Sequence, residues 1–303
     1  MGSGSYDYIS RSVRTTSYAK STRDAIFTSE SRHTHKVTQD MDIKGKIREC
    51  HDIPGEHDEA FPIIIALDVT GSMGYIPERL VKNDFPEIMK KLIDKGVKDP
   101  QVCFVGIGDH ECDSVPIQVG QFEASDELLD RWLTRLYLEG GGGGNDGESY
   151  LLAYQFAARH TDIHSFDKRG KKGVLITIGD EPCLKRVPGS VVKNLFGDQG
   201  DIQLDKVLEE AREKWDVYHI NVMDYAGKAR GTQNQWKELL KDHMINTETS
   251  DGKDIIDIIP KIVMSSYTES GGKIDNIDKD DLLPFAFMMM MQNQQNQQNQ
   301  QTV

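Results

Sequence analysis

Residues 62–74 read Pro-Ile-Ile-Ile-Ala-Leu-Asp-Val-Thr-Gly-Ser-Met-Gly, an apolar run that ends at Asp68 and is followed by Thr70 and Ser72. An apolar run of this length predicts a buried strand, and open α/β sheets bind their ligands at the carboxyl ends of such strands. Carboxylate and hydroxyl oxygens are the hard ligands that Mg²⁺ and Mn²⁺ select. The stretch therefore predicts a divalent-metal site at one edge of a sheet.

The composition narrows the class of protein. The 303 residues carry 36 Lys and Arg against 49 Asp and Glu, a formal net charge of -13, and the mean hydropathy is -0.53. This acidic balance argues against binding to nucleic acid or to an anionic membrane. No apolar stretch reaches the roughly 18 to 20 residues that span a bilayer, and no secretory signal is recognisable. The four cysteines show no zinc-type pairing, so we expect free thiols and a cytoplasmic location.

Composition also divides the chain into three segments. Residues 1–59 form an arm rich in Ser, Thr and Arg, which we expect to be flexible or to be ordered only against the domain or a partner. Residues 60–268 form the folded domain. Residues 269–303 form a tail in which a Met run at 288–291 precedes an unbroken Gln/Asn run at 292–301. Such a tail cannot build a core, and we expect it to be disordered.

Strand and helix patterns alternate through the domain. Continuous apolar runs predict strands at 61–67, 102–107, 115–122, 173–178 and 217–223. Apolar residues at helical spacing predict helices at 84–96, 125–136, 150–159, 204–215, 232–242 and 253–267. Asp84 and Glu87 form a capping-box pattern at the start of the first helix, and Pro260 predicts a kink or a restart in the last.

This alternation indicates an α/β fold. We expect a Rossmann-like, mainly parallel sheet with helices on both faces and one antiparallel edge hairpin formed by the strands at 102–107 and 115–122. The order in which the strands pair is left open by the pattern.

Acidic residues also follow two further predicted strands. Asp109 comes after the second strand and Asp180 after a later one, and a run of five glycines leads into Asn145 and Asp146. Because the carboxyl ends of parallel strands open on one edge, these segments should meet Asp68 there. Buried carboxylates brought together without a cation would repel each other, so the arrangement favours a bound metal.

Residues 60–265 resemble the von Willebrand factor A (vWA) domain and its metal-ion-dependent adhesion site (MIDAS). The resemblance rests on the motif Asp68-x-Thr70-x-Ser72 and on the later strand end Thr-Ile-Gly-Asp180. It implies the vWA fold. It also implies that Thr70 and Ser72 ligate Mg²⁺ directly, with Mn²⁺ as an alternative, and that Asp68 and Asp180 lie near the ion, often through water.

One loop departs from the family pattern. The family usually places a Thr ligand in a Gly-Gly-Thr turn, whereas the corresponding loop here reads Gly143-Gly144-Asn145-Asp146-Gly147. Asn145 or Asp146 would have to supply that oxygen, and the sequence leaves the choice open. An extra carboxylate in this loop would lower the metal site's need for an acidic residue from a partner protein. Asp109 is expected to lie behind the ligands and to orient them or their waters.

The resemblance implies a metal-dependent protein-binding module, an adaptor rather than an enzyme, that captures an Asp or Glu of a partner protein through its MIDAS ion. Some such domains act in multiprotein complexes beside AAA-type ATPases. Two alternatives stay open. A phosphohydrolase of the haloacid-dehalogenase type also ends its first strand in Asp, but it needs a second carboxylate as general acid where Thr70 stands. A structural or assembly protein with a purely structural metal also fits the composition.

Overall fold

The structure is a computed structural model. It describes residues 2, 4–27, 38–140, 145, 147–197, 200–223, 229–248 and 251–301, and it describes the side chains of these residues except 229–230 and 293–301.

Short and long strands alternate with helices along these residues. The strands are β1 Arg48–Cys50, β2 Phe61–Asp68, β3 Pro100–Ile107, β4 Ile117–Val119, β5 Thr161–Ile163, β6 Gly173–Gly179, β7 Arg186–Val187, β8 Ile202–Gln203, β9 Trp215–Asn221 and β10 Met244–Asn246. The helices are α1 Tyr8–Ala19, α2 Arg23–Ile26, α3 Tyr75–Arg79, α4 Phe85–Asp94, α5 Asp126–Leu133, α6 Leu151–Arg159, α7 His164–Asp167, α8 Gly189–Leu195, α9 Leu204–Lys214, α10 Ala229–Leu240, α11 Ile255–Glu269 and α12 Pro284–Gln301.

One six-stranded sheet organises the domain, in the order β10-β9-β6-β2-β3-β4. The strands from β10 to β3 run parallel, and β4 pairs antiparallel with β3 at the edge. This confirms the predicted mainly parallel sheet with an antiparallel edge hairpin. The central strand β2 pairs with β3 along its whole length and with β6 from Ile63 to Leu67, so its carboxyl end lies between theirs.

The sheet is buried on both faces, as the apolar runs predict. Side chains alternate across a strand, so Ile63, Ile65 and Leu67 of β2 enter one core with α4, α5 and α11. Ile64 and Ala66 enter a second core with α6, α9 and α10. Two layers of helices therefore cover the sheet, which is the arrangement expected for an α/β fold.

The predicted capping box at Asp84 is wrong. Helical structure begins at Tyr75 and passes through a π-helical segment, Leu80–Asp84, directly into α4. The Asp84 side chain makes no cap hydrogen bond to α4 and instead accepts one from Arg79 Nε at 2.8 Å. A nearby guanidinium offers this carboxylate a stronger partner than a backbone N–H does, because both groups of the pair are charged.

Pro260 does not restart the last domain helix, since α11 is continuous from Ile255 to Glu269. Proline has no N–H to donate to the carbonyl four residues earlier, which is that of Ile256. Lys91 Nζ, from the neighbouring α4, donates to that carbonyl oxygen at 3.3 Å. The adjacent helix thus replaces the hydrogen bond that the proline removes.

Helix α1 of the amino-terminal arm packs against the domain through buried charge. Arg11 of α1 is fully buried, and its Nε lies 2.7 Å from Asp130 Oδ1 of α5. Its Nη2 donates to the carbonyl oxygen of Val81 at 2.7 Å. Arg14 pairs with Asp130, at 2.7 Å from Oδ2, and with Asp126. Docking of α1 therefore supplies the cations that two buried carboxylates of α5 need.

The carboxyl-terminal tail differs from the disordered segment that the sequence predicts, because α12 is helical from Pro284 to Gln301. Its start is anchored, since Leu282, Leu283 and Ala286 pack in the core beside α11. Glutamine has a good helix propensity, so a helix that begins on a packed anchor can continue through the following residues. Within the described ranges, no helix combines the length and the apolar character needed to cross a membrane.

The ion pair between Arg11 and Asp130 should contribute measurably to the stability of the full chain. Replacing Arg11 with Ala leaves a buried carboxylate with one fewer cation, which costs about 3 kcal/mol when the pair is buried. Urea unfolding checks this. The matched control is Arg159→Ala, since Arg159 pairs with Glu210 where both side chains are about 40% exposed, and its loss should stay below about 1 kcal/mol. Equal losses in the two variants would contradict the assignment.

Candidate metal centre

The acidic residues singled out in the sequence follow three neighbouring strands. Asp68 ends β2, Asp109 follows β3 by two residues, and Asp180 directly follows β6. Because β2 lies between β6 and β3 in the sheet, Asp68 stands between the other two at the same carboxyl-terminal edge. The parallel pairing alone therefore brings these three loops side by side.

Asp68 is held by hydrogen bonds to both of its carboxylate oxygens. The residue is 1% exposed. Its Oδ1 accepts from the backbone N–H of Thr70 at 2.9 Å and from Thr70 Oγ1 at 2.6 Å. Its Oδ2 accepts from the hydroxyl of Tyr150 at 2.8 Å. The motif Asp-x-Thr thus forms a closed turn, and a distant tyrosine completes it.

Tyr150 reaches Asp68 only because β6 ends in glycine. The tyrosine is fully buried at the start of α6, and a Cβ atom placed on Gly179 would lie 1.7 Å from its hydroxyl oxygen. The tyrosine ring also packs edge-on against His219 and Trp236, with centroids 5.4 Å away in each case. The site therefore requires glycine at position 179, because a side chain there would displace the hydroxyl group of Tyr150.

Ser72 and Asp180 join the loop after β2 to the end of β6. Ser72 Oγ donates to Asp180 Oδ1 at 3.2 Å, across 108 residues of sequence. Exposure increases along the motif, from 1% at Asp68 and 3% at Thr70 to an exposed Ser72. The oxygen atoms thus lead from the interior of the sheet edge to its surface.

The charge of Asp68 is poorly compensated in its surroundings. Burial raises the pKa of Asp68 to about 7, and the negative charge of Asp180 adds to the rise. The hydrogen bonds from Thr70 and Tyr150 act against it without restoring the ordinary pKa. A cation beside the two carboxylates would favour their charged forms and lower this pKa.

A third carboxyl group, that of Glu148, enters the same region. Glu148 is 7% exposed, and its Oε2 has no hydrogen-bond partner among the described residues. Burial raises its pKa to about 10, and the charges of Asp68, Asp113 and Asp109 act in the same direction. A buried carboxyl group with a free oxygen atom is therefore available beside Asp68.

The segment that carries Glu148 bridges the two outer strand ends. Its backbone N–H donates to the carbonyl oxygen of Pro182 at 2.8 Å, and the N–H of Ser149 donates to that of Gly108 at 3.2 Å. Sequence reasoning did not single out Glu148 or Tyr150 as site residues. Their position directly after the glycine-rich acidic loop could have indicated a role in the site. That loop must pass the metal site if it contributes a ligand.

Of the two predicted loop ligands, Asn145 and Asp146, the structure describes only Asn145. Asn145 Nδ2 donates to Glu111 Oε2 at 2.9 Å, so its amide contacts the loop after β3. Asp146 lies outside the described residues, and the choice between the two as ligands stays open. Asp109 is 3% exposed, and its Oδ1 accepts from the N–H of Glu111 at 3.0 Å. Asp109 thus shapes its own loop, and its role in orienting ligands stays a prediction.

The donor chemistry of the centre fits a hard divalent cation. Among the described residues, no group of three or more His, Cys, Asp and Glu side chains is arranged to hold a metal ion. The candidate set differs in kind, because it combines two carboxylates, Asp68 and Asp180, with two hydroxyls, Thr70 and Ser72. An all-oxygen set of this type suits Mg²⁺ or Mn²⁺.

No protein-family model and no curated protein matches the sequence. Among solved structures, the chain is similar to the pilus adhesin SpaC from Lactobacillus rhamnosus GG in its open conformation, with a TM-score of 0.43 at 10% identity. That match covers 75% of this chain and 31% of the adhesin, so the chain spans less than a third of the adhesin's length.

Two bacterial proteins from Bacteroides match over nearly their whole length. BatB from Bacteroides thetaiotaomicron has a TM-score of 0.39 at 13% identity, over 70% of this chain and 99% of BatB. An aerotolerance-related membrane protein from Bacteroides fragilis has a TM-score of 0.36 at 14% identity, over 68% of this chain and 99% of that protein. Similarities this low assign neither a family nor a function to this chain.

The close approach of Tyr150 to Gly179 makes a substitution there costly. Gly179→Ala should force the tyrosine hydroxyl away from Asp68 and destabilise the protein by about 1 to 3 kcal/mol, as overpacking in a core usually does. Equilibrium unfolding in urea measures the loss. Gly231→Ala is the control, because a Cβ there meets nothing within 4 Å on α10 and Ala is the better helix former. An unchanged Gly179→Ala variant would show that the tyrosine does not need this space.

Proposed function

We propose that this protein is a metal-dependent protein-binding module whose Mg²⁺ or Mn²⁺ ion is held by Asp68, Thr70, Ser72 and Asp180. One observation carries the proposal: Ser72 Oγ lies 3.2 Å from Asp180 Oδ1, in the same loop whose Thr70 Oγ1 donates to Asp68 Oδ1 at 2.6 Å. Four oxygen donors from two distant segments thus meet at one sheet edge, where α/β proteins bind ligands.

The gradient of exposure supports capture of a partner at this site. A bound Mg²⁺ would supply positive charge and a coordination position for an entering carboxylate oxygen. Thr70 and Ser72 offer neutral oxygen atoms, so they leave more of the ion's positive charge for an entering carboxylate than acidic ligands in their places would. Ser72 is exposed whereas Asp68 is buried, so a partner's Asp or Glu can approach only over the Ser72 side.

The surroundings of Asp68 support binding over phosphoryl transfer. A nucleophilic carboxylate must reach the phosphorus of its substrate with a free oxygen atom. Asp68 is 1% exposed, and its two oxygen atoms accept hydrogen bonds from Thr70 and Tyr150. The position of the required general acid is occupied by Thr70, whose hydroxyl cannot serve as that acid.

Calorimetric titration with Mg²⁺ tests the metal site. Ser72→Ala and Asp180→Asn should each weaken Mg²⁺ binding at least about tenfold, which corresponds to about 1.4 kcal/mol. Asp205→Asn and Ser190→Ala, which change the same residue types at exposed positions of α9 and α8, should bind Mg²⁺ as the unchanged chain does. Equal affinity for Mg²⁺ in all four variants would show that Ser72 and Asp180 are not ligands of the metal.

Selection from a displayed peptide library tests the binding function. In Mg²⁺ the immobilised protein should retain peptides that contain a required Asp or Glu, and a change of that residue to Asn or Gln should abolish retention. A chelator should release the peptides, and the Asp180→Asn variant should retain none. Peptides that stay bound in the presence of chelator would show that the surface binds proteins without the metal.

A further inference from the structure

A cavity of about 330 Å³ opens at the opposite edge of the sheet from the candidate metal centre. Phe61, which begins β2, forms part of its wall, as do Lys98, two residues before β3, and Lys171, two residues before β6. Gly272 and Lys273, which follow α11, close the other side. The volume is at the lower end of the range for sites that bind small molecules.

The cavity is basic although the chain is acidic. Lys98, Arg169, Lys171 and Lys273 line it, against one acidic residue, Glu59. Within the described part of the chain, Lys98, Lys171 and Lys273 form no ion pair with a carboxylate. Lys98 and Lys273 are exposed and Lys171 is half-buried, so solvent screens part of their charge. The charged residues that line the cavity are nevertheless mainly basic on a protein whose net charge is -13.

Arg169 belongs to the rigid wall of the cavity. Its Nη1 donates to Asp52 Oδ2 at 2.5 Å, and its Nη2 donates to the carbonyl oxygen of Ala60 at 3.0 Å. The arginine charge is thus already paired, and it fixes the loop before β2. The charges left to meet a ligand are those of the three lysines.

The backbone around the lysines is held in place. The N–H of Lys98 donates to the hydroxyl oxygen of Tyr267 at 3.3 Å, and the N–H of Lys171 donates to the carbonyl oxygen of Ser165 at 2.8 Å. Ser165 lines the cavity, is 1% exposed, and its hydroxyl has no hydrogen-bond partner among the described residues. The backbone positions of Lys98 and Lys171 are therefore fixed, and the hydroxyl group of Ser165 is available to a ligand.

An aromatic floor completes the cavity. Phe61 and Tyr267 pack edge to face with their centroids 5.1 Å apart. Gly272 lies flat on the tyrosine ring, since a Cβ atom there would come within 2.4 Å of it. Phe61 is 4% exposed and Tyr267 is 8% exposed, so the floor offers an organic group only a small apolar surface, and the lysines offer charge to an anion.

We propose that this cavity binds a small phosphorylated organic molecule, with its phosphate group among Lys98, Lys171 and Lys273. A phosphate carries close to two negative charges and several strong acceptor oxygens, and lysine binds it as a point charge. The volume exceeds that of a phosphate group alone, so the organic part would lie on Phe61 and Tyr267. This site is independent of the metal-dependent function proposed above.

Titration calorimetry on the full chain tests the proposal, with EDTA present so that a metal at the other edge cannot recruit phosphate. The probes are inorganic phosphate, a ribose phosphate and a phosphoserine peptide. The ribose phosphate should bind more tightly than inorganic phosphate. Absence of binding by the ribose phosphate would overturn the proposal, as would binding of the peptide alone, which would indicate a protein ligand.

A pair of charge-matched variants identifies the cavity as the binding site. Lys98→Gln, Lys171→Gln and Lys273→Gln combined should weaken binding of the ribose phosphate at least about tenfold, since charge-assisted hydrogen bonds are lost. The control removes the same charge at exposed lysines elsewhere, and consists of Lys44→Gln, Lys206→Gln and Lys237→Gln combined. It should leave the affinity within about twofold of the unchanged chain.

The control also separates the proposal from two simpler roles for the lysines. If the lysines only reduce the net negative charge, both combined variants will lose affinity equally, and the proposal fails. If they only neutralise the negative end of α11, the cavity variant will melt at a lower temperature and still bind the ribose phosphate as before. That result would overturn the proposal as well.

Discussion

Asp68 is a carboxylate removed from water and held by three donor groups, two from Thr70 and one from Tyr150. A buried charge is tolerated only when hydrogen bonds or a counter-charge replace its hydration. Those donors come from the adjoining loop and from the start of α6, so the charge fixes both. It also restricts β6, because the tyrosine hydroxyl occupies the space that any side chain at position 179 would fill. A single buried group thereby determines the shape of the loop edge.

The two edges of the sheet carry opposite charge. At the carboxyl-terminal edge the charge of Asp180 raises the pKa of Asp68, and the charge of Asp68 raises the pKa of Glu148. At the amino-terminal edge Lys98 and Lys171 line a cavity. Parallel strands explain the separation, because all the loops that follow strands lie at one edge and all those that precede strands lie at the other. The acidic edge suits a cation and the basic edge suits an anion.

Several local rules of the sequence are overridden by charged partner side chains. Asp84 forms an ion pair with Arg79 and so does not cap a helix, and Pro260 stays within a helix because Lys91 takes up the carbonyl group that it frees. The amino-terminal arm has little hydrophobic periodicity, yet α1 docks because Arg11 is buried against Asp130. In each case one long charged side chain decides the outcome. It comes from the preceding helical turns for Asp84, and from a separate element of the structure for Pro260 and for α1.

The sequence by itself determined the alternation of strands and helices, the mainly parallel sheet and the strand ends at which Asp68, Asp109 and Asp180 lie. These follow from apolar periodicity, which is a local property, and from the rule that parallel strands share one edge. The tertiary structure alone decided the strand order and the contacts of Tyr150 with Asp68 and of Ser72 with Asp180, which join residues 82 and 108 positions apart. Such contacts depend on how separate elements pack, and no local pattern of residues encodes that packing.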